Sequence, residues 1–364
     1  TGKKPEWLRG LQNADPSAVP LPSTSPEETL LKILAAPNIA SRFPIYRQYD
    51  YHVQTNTVVE PGGDAAVLRL KGSKRGIAVS TDCNGRICYL DPEVGTVIAV
   101  AEACRNLSVT GAEPVALTDG LNFGNPETSD VQYQLTQSIA GMGRAADAFG
   151  IPIVSGNASL YNQSNGTDIF PTPIIGSLGL LEDVEKHATA GFKKEGDLVV
   201  LLGSNSTWDD IDGLAGSEYL DLIHDKVIGQ PKIDIDLEIR TQAVCREAIE
   251  NGLVASAHDV SDGGIAISVT EAAVIGHIGV SITEAPTDRW DAAMFGESQS
   301  RIVISIATDD LEDLQELAEA GEVPMKVIGS VGGDSIDFGS GAVSLTLDAA
   351  DDAWQNGFSR ATAG

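Results

Sequence analysis

A helix between two short apolar segments is the feature that most constrains this chain. Apolar residues recur at helical spacing through residues 129–149, and Gly150 followed by Pro152 predicts the end of that helix. Ser129 or Asp130 is its predicted N-cap. The segments "PVALTD" before the helix and "IPIVSG" after it read as strands. This strand–helix–strand order predicts a mixed α/β domain.

The rest of the pattern predicts a second domain. Strand-like segments such as "GIAVSTD", "LVVLLG" and "SRIVISI" alternate with helix-like ones such as "PEETLLKILA", "LEIRTQAVCREAIENG" and "LEDLQELAEAG". With 364 residues, the chain is long enough for two domains of ordinary size. We therefore predict a fold of the α/β and α+β class, with an arm at residues 1–42 and domains at residues 43–183 and 184–364.

Two polar segments follow the strands that flank the long helix. They are "TDGLNFGNPE" at residues 118–127 and "SGNASLYNQSNG" at residues 155–166. Because both segments flank one helix, they are expected to lie side by side at a sheet edge where ligands bind in such folds. The oxygen and amide groups that they offer suit Mg²⁺ and phosphate, and Gly156 would allow close backbone approach. Those groups belong to Asp119, Asn122, Asn125, Glu127, Asn157 and Ser159. Asx turns and helix caps are the alternative interpretation.

The charge of the chain disfavours several classes of partner. It has 52 acidic and 24 basic residues, for a net charge of −28. That field would repel nucleic acid and anionic membranes, and acidic residues spread through every segment are typical of salt-adapted proteins. The start "TGKKPEWLRG" lacks the apolar region of a secretory signal, and the four cysteines show no CxxC spacing. Free thiols and a cytoplasmic location are expected. P-loop, GxGxxG and GxSxG motifs are missing from the sequence.

Five segments in order then resemble one family. They are "LTDGLNFGNPE", "VSGNASLYN", "TPIIGSLGLLEDV", "AHDVSDGGI" and "FGESQSR". From about Phe43 onward, the chain resembles the C-terminal half of PurL, the synthetase subunit of phosphoribosylformylglycinamidine synthase. The resemblance implies a PurM-like architecture, with an N-terminal ATP-binding-type α/β domain and a larger C-terminal α+β domain.

The resemblance also implies a ligase of purine biosynthesis. The family converts formylglycinamide ribonucleotide, ATP and ammonia into formylglycinamidine ribonucleotide, ADP and phosphate. ATP phosphorylates the amide oxygen, and ammonia that glutaminase has released from glutamine displaces the phosphate. The implied partners are the glutaminase subunit PurQ, the small subunit PurS and the N-terminal half of PurL, and the implied cofactors are ATP and Mg²⁺.

By matching motifs, the resemblance assigns binding roles but no catalytic residue to this half. Asp119 and Gly156 would bind ATP, Asn157 would bind magnesium and Ser159 would bind the ribonucleotide. Because the family's catalytic histidine belongs to the other half, the isolated chain is expected to be inactive, and its sheet face to pair in a homodimer. A nucleotide-binding or assembly half whose ligand is purely structural is the alternative.

Four further residues keep open roles. His258 and Asp262 lie in "SAHDVSDGG", which reads as a compact polar turn before a helix, and Asp262 is either a helix cap or a ligand. Glu297 and Arg301 lie in "FGESQSR" before a strand, where they are expected to pair with each other.

Overall fold

The computed structural model describes residues 2–204, 210–284 and 288–363. The N-terminal arm contains the helices α1 (Glu6–Asn13) and α2 (Pro26–Leu34), and the short helix α3 (Phe43–Tyr46) follows it. Helix α2 begins as predicted, because the Ser25 side chain accepts from the Glu28 backbone in a capping box and a proline occupies the first helical position.

The first sheet contains the predicted strand–helix–strand unit. Its strands follow the order β1-β2-β3-β8-β4-β5. The elements of this part of the chain are β1 (Thr57–Val59), β2 (Ala66–Arg69), β3 (Gly76–Asp82), α4 (Gly85–Leu90), α5 (Pro92–Ser108), β4 (Glu113–Asn122), α6 (Ser129–Phe149), β5 (Ile153–Ser159), the short hairpin β6 (Gln163–Ser164) and β7 (Thr167–Asp168), and β8 (Thr172–Leu181).

The two faces of this sheet differ. Helices α5 and α6 cover one face, where Leu117 and Ile175 pack against Met142. On the other face, Val79 and Ile174 are 40% and 41% exposed. Strand β5 is one of the two edge strands of the sheet, and its Val154 is 65% exposed. The sheet therefore leaves one apolar face and one edge without cover from the described residues, an arrangement that favours pairing with another surface.

The bounds of α6 match the prediction, but its N-cap does not. The cap is Thr128, whose hydroxyl accepts from the Val131 backbone, so the expectation of Ser129 or Asp130 was wrong by one or two positions. At the other end, Gly150 adopts the predicted left-handed conformation, with φ 67°.

The second sheet has seven strands in the order β10-β12-β9-β13-β11-β14-β15. Its elements are β9 (Leu198–Gly203), α7 (Glu218–His224), α8 (Ile235–Glu250), β10 (Ser256–Asp259), α9 (Gly264–Gly276), β11 (Val280–Ile282), α10 (Trp290–Phe295), β12 (Arg301–Ile306), α11 (Leu311–Ala320), β13 (Met325–Val331), β14 (Ser335–Phe338), β15 (Val343–Thr346) and α12 (Leu347–Thr362). Strand β10 corrects the prediction of a turn at "SAHD", because it pairs with β12. The predicted domain boundaries at residues 42/43 and 183/184 stay a prediction.

The arm contacts both domains. Trp7 stacks on Tyr89 at a centroid distance of 4.8 Å, and its indole donates to Asp130. Further along, the Leu11 carbonyl accepts from the Gly229 backbone. Helix α2 buries its apolar side chains in the core of the second domain. Within the described ranges, no helix combines the length and hydropathy that a membrane crossing requires, and all four cysteines are free.

Candidate functional site

The two polar segments meet as neighbouring parallel strands. Strands β4 and β5 pair Asp119 with Gly156, and Asn122 with Ser159. The expectation that the segments lie side by side is confirmed, although residues 118–122 and 155–159 belong to the strands and not to loops. This matters because alternate residues of a strand point to opposite faces of the sheet.

Asp119 and Gly156 share the helix-covered face. Asp119 also pairs with the buried Ile175 of β8. A Cβ atom on Gly156 would lie 2.1 Å from Asp119 Oδ2, so only glycine leaves room for this carboxylate. Burial raises the pKa of Asp119. No hydrogen bond joins its side chain to another described residue, and its oxygens are therefore available to a ligand.

Asn157 and Ser159 share the open face. The Asn157 amide oxygen lies over Gly120, where a Cβ atom would be 3.6 Å away. Asn157 is exposed, and within the described part of the chain its side chain makes no hydrogen bond. The Ser159 hydroxyl instead contacts the Asn162 amide. The structure thus brings all four predicted residues to one sheet edge but divides them between its two faces.

A magnesium ion at Asn157 would need ligands from elsewhere. Mg²⁺ requires near-octahedral oxygen coordination and is commonly held through carboxylates. Asn157 offers one amide oxygen, whereas the carboxylate of Asp119 lies on the opposite face of the sheet. Asn157 thus fits a supporting ligand, and the carboxylate ligands would come from a surface that covers the open face.

A second polar region, which the sequence argument missed, lies in a cleft between the two domains. This cleft has a volume of about 470 Å³. Both domains contribute acidic side chains to it: Asp64, Asp82, Glu102, Asp259, Asp262 and Glu271. One signal was present in the sequence, since Glu102 and Arg105 interrupt an otherwise apolar helix, and charges in a buried helix need partners.

Three side chains in this cleft form a compact oxygen and nitrogen cluster. One potential ligand atom each from Asp64, His258 and Asp259 lies within 4.8 Å of the others. His258 Nδ1 is 2.7 Å from Asp64 Oδ1, and its Nε2 is 3.2 Å from Glu271 Oε2. Burial lowers the pKa of His258, but these two carboxylates outweigh burial and raise it well above its usual value. His258 therefore hydrogen-bonds two carboxylates, one from each domain, which answers the role left open for it.

The carboxylates of the cleft are desolvated. Burial raises the pKa of Asp259 to about 6, Asp64 adds to the rise and Arg105 opposes it. Burial also raises the pKa of Asp82 well above its usual value, with a further rise from Asp262. Among the described residues, Asp259 Oδ2 accepts no hydrogen bond. Desolvated carboxylates that lack donors favour a bound cation.

A buried arginine crosses from the first domain to the second beneath this cleft. Arg105 Nη1 lies 2.9 and 3.0 Å from the two carboxylate oxygens of Glu238, and both side chains are fully buried. Its Nε lies 3.5 Å from Asp259. Gln242 donates a further hydrogen bond to Glu238. This network fixes α5 against α8 and β10.

Glu297 and Arg301 were expected to pair with each other, but each side chain bonds to backbone groups instead. Glu297 Oε1 accepts from the backbones of Glu218 and Gly263, at the first turns of α7 and α9, so one carboxylate caps two helices. Arg301 donates to the carbonyls of Gly296 and Ser298. Glu297 is thus held at two helix N-termini and Arg301 at the loop before its own strand, and these backbone hydrogen bonds take the place of a pair between the two side chains.

Asp262 does not cap α9 with its side chain. The described residue at the N-cap position is Gly263, which has no side-chain cap, and Asp262 Oδ1 accepts from Asn84 Nδ2 at 2.7 Å. Asp262 therefore joins the second domain to the N-terminus of α4, at the edge of the acidic cleft.

Comparisons with known proteins assign the chain to a class. Residues 62–181 match the model of the N-terminal domain of AIR synthase related proteins, and residues 194–339 match the model of their C-terminal domain. The chain therefore belongs to the AIR synthase related proteins and contains both of their domains.

Within this class, the chain is a homologue of the PurL subunit of phosphoribosylformylglycinamidine synthase. It is 43% identical over 355 residues to PurL of Caldanaerobacter subterraneus, an alignment that covers 96% of this chain and 48% of that protein. It is 48% identical over 334 residues to PurL of Thermomicrobium roseum, which covers 90% of this chain and 45% of that protein. The resemblance inferred from the motifs is confirmed, and the chain spans about half the length of the curated relatives it matches.

Solved structures confirm the fold. The PurL structure from T. maritima in complex with FGAR superposes with a TM-score of 0.72 at 16% identity, covering 91% of this chain and 54% of that one. A ThiL structure in complex with AMPPCP and TMP superposes with a TM-score of 0.56 at 15% identity, covering 82% and 94%. The predicted two-domain PurM-like architecture is therefore correct.

Proposed function

We propose that this chain is the C-terminal half of a PurL synthetase and lends binding groups to an active site completed by the other half. The whole enzyme would convert formylglycinamide ribonucleotide, ATP and glutamine-derived ammonia into formylglycinamidine ribonucleotide, ADP and phosphate. One observation carries this proposal. The chain is a homologue of about half of PurL, and the polar residues at the ends of its strands β4 and β5 lie at a sheet edge that no described residue covers. T. maritima PurL has been solved with FGAR and with ATP, which supports the choice of ligands.

Each of the four residues has a role that suits its position. Asp119, a partly buried carboxylate without a donor, would accept hydrogen bonds from hydroxyl or amino groups of ATP, while Gly156 keeps that carboxylate in place. On the other face, Asn157 would supply one oxygen to Mg²⁺, which neutralises phosphate charge during phosphoryl transfer. Ser159 would hydrogen-bond the ribonucleotide.

The open face and the edge strand support a partner that covers them. In the proposed enzyme this partner is the N-terminal half of PurL, which supplies the carboxylates for the metal and the catalytic groups. PurQ and PurS would join this assembly in the cytoplasm, and a PurLQS complex from T. maritima has been solved.

An activity assay tests this proposal. The purified chain is mixed with ammonia, Mg-ATP and formylglycinamide ribonucleotide, alone and with the separately produced N-terminal half. We expect no amidine from the chain alone and product formation when both halves are present. Turnover by the chain alone, or no turnover by the mixture although the halves form a complex, would refute the proposal.

We further propose that the isolated chain forms a symmetric homodimer through the open face. Exposed apolar residues such as Val79 and Ile174 favour burial, whereas a charge of −28 on each subunit opposes it. Salt reduces the Debye length from about 10 Å at 0.1 M to about 3 Å at 1 M, so the dimer should tighten as salt rises. Light scattering across a salt series measures this, and a monomer at high salt and high protein concentration contradicts it.

The cleft between the domains favours a second candidate function, a structural cation or nucleotide site. The observation is the carboxylate pair of Asp64 and Asp259, which offer ligand atoms within 4.8 Å of each other, and Asp259 Oδ2, which accepts no hydrogen bond from the described residues although Arg105 Nε lies 3.5 Å away. A ligand that binds the folded state raises the melting temperature. We expect Mg²⁺ with ADP to raise the Tm of the purified chain, and Asp259→Asn to abolish that rise. Equal Tm values with and without these ligands would exclude this site.

A further inference from the structure

The segments that follow β4 and β5 are tied together by their backbones. The Phe123 N–H donates to the Ser159 carbonyl at 3.0 Å, and the Asn162 N–H donates to the Phe123 carbonyl at 3.1 Å. The Tyr161 N–H donates to the Gly124 carbonyl at 2.8 Å. Phe123 is fully buried and anchors this connection in the fold. The position of Ser159 therefore depends on contacts beyond the sheet itself.

Asn162 makes the side-chain contacts at this junction. Its Nδ2 donates to the Ser159 carbonyl at 2.8 Å and to the Phe123 carbonyl at 3.1 Å. The same amide touches the Ser159 hydroxyl, with Oδ1 at 3.3 Å and Nδ2 at 3.2 Å from Oγ. One amide thus holds both segments and the hydroxyl that one of them presents.

The chain stores backbone strain beside this amide. Tyr161 has φ 62°, a left-handed conformation that is unfavourable for a non-glycine residue. Tyr161 is 57% exposed, so burial of its ring does not explain the conformation. The strained turn places the Asn162 side chain over Ser159, and such strain persists where the surrounding contacts require one geometry.

We propose that Asn162 is a positioning residue that sets the orientation of the Ser159 hydroxyl toward the ribonucleotide. This inference rests on the proposed function, in which Ser159 binds that substrate. Ser159 is the last residue of the β4–β5 ladder, where Asn162 contacts its hydroxyl, whereas Asp119 and Asn157 lie earlier in the ladder and their side chains make no hydrogen bond with Asn162. Loss of the Asn162 amide should therefore weaken the ribonucleotide without weakening ATP.

Steady-state kinetics of the full-length synthetase with its glutaminase and small subunits test the inference. The variants are Asn162→Ala, Ser159→Ala and their combination. The control is Gln163→Ala, because Gln163 is exposed and bonds to Asp168 at 2.8 Å but to neither Ser159 nor Phe123. Melting temperatures identify any variant that fails to fold. Asn162→Asp, which keeps the shape of the side chain but cannot donate to the Phe123 and Ser159 carbonyls, then replaces Asn162→Ala and should give the same rise in KM.

We expect Asn162→Ala to raise the KM for formylglycinamide ribonucleotide about tenfold and to leave the KM for ATP within about twofold, as for loss of one well-placed hydrogen bond. In the Ser159→Ala background, Asn162→Ala should add no further change, because both substitutions remove the same contact. Gln163→Ala should match the unmodified enzyme.

Three results would overturn the inference: additive effects in the double variant, an equal rise in both KM values, or an unchanged KM in Asn162→Ala. A failure of the proposed function looks different. If Ser159→Ala itself leaves the ribonucleotide KM unchanged, the substrate role of Ser159 is wrong, and the positioning role falls with it. If Ser159→Ala raises that KM and Asn162→Ala does not, only the role of Asn162 is wrong.

Discussion

The strand ends of the first sheet and the buried ion pair beneath the cleft hold polar groups in opposite ways. At the strand ends, the side chains of Asp119 and Asn157 have no hydrogen-bond partner among the described residues. Beneath the cleft, Arg105 binds Glu238 with both side chains fully buried. The difference separates two functions. Groups that their own chain already satisfies hold the fold, and groups that it leaves unsatisfied await a ligand or another surface.

The largest expected effect concerns the buried ion pair. Arg105→Ala leaves Glu238 buried without its cation, which should lower the free energy of unfolding by about 3–5 kcal/mol. The matched control is Arg144→Ala, whose half-exposed pair with Glu93 at 3.4 Å should contribute at most about 1 kcal/mol. Urea unfolding of both variants measures the difference. Similar losses in the two would show that the cleft network does not hold the domains together.

The strand ends should show the reverse, a large effect on catalysis with little on stability. In the full-length synthetase, Asp119→Ala and Asn157→Ala should each lower turnover at fixed Mg-ATP by about 10²–10³, as for one lost preorganised contact. Gln132→Ala, on the exposed side of α6, serves as the control. Kinetics on these preparations measure the loss of turnover, and urea unfolding of the same preparations measures any loss of stability. Variants with normal turnover would show that these two side chains have no part in the reaction.

Glu297 allows a test by pH. Burial raises its pKa well above the usual 4.5, Asp262 adds to the rise and Arg86 opposes it. Since the folded-state pKa lies above the unfolded one, the stability that this group contributes is complete below about pH 4.5 and is lost as pH rises through the folded pKa.

Glu297→Gln keeps an oxygen for the two backbone donors but does not ionise. The variant should therefore gain stability relative to the parent as pH rises, on the order of 1 kcal/mol between about pH 5 and about pH 8. Thermal unfolding across this pH range measures the gain. A constant difference at every pH would mean that the carboxyl group does not titrate in this way.

The smallest expected effect is a change in the KM for ATP when alanine replaces one of two glycines on neighbouring strands. A Cβ atom at position 156 would lie 2.5 Å from Asp119 Cγ, whereas one at position 120 would meet nothing closer than 3.6 Å. Gly156→Ala should rotate the carboxylate and raise the KM for ATP about threefold to tenfold, with stability changed by less than about 1 kcal/mol. Gly120→Ala should leave both unchanged. Equal KM values for ATP in the two variants would show that the position of the Asp119 carboxylate does not affect ATP binding.

The sequence predicted well where one pattern dominates locally. The long helix α6, the strands that flank it and the meeting of their polar ends followed from apolar spacing and chain order. The division of Asp119 and Asn157 between two faces did not follow, because the predicted strands ended at Asp119 and Gly156 and left Asn157 in a loop, and only a residue within a strand can be assigned to a face.

The cleft escaped prediction for another reason. Asp64, Glu102 and His258 are far apart in the sequence, and no local spacing marks them as neighbours. Strand β10 was also read as a turn, since His258 and Asp259 make its short segment polar although the strand is mostly buried. The segment is a strand because it pairs with β12, and a local sequence pattern contains no information about that distant partner.

The N-terminal arm has a mechanical consequence. Trp7 is fastened to the first domain through Tyr89 and Asp130, and α2 is embedded in the core of the second. The residues between these two attachments span both domains, in parallel with the buried Arg105 connection. A movement that widens the cleft would have to break the Trp7–Tyr89 stack or remove α2 from its core. The arm therefore opposes separation of the two domains.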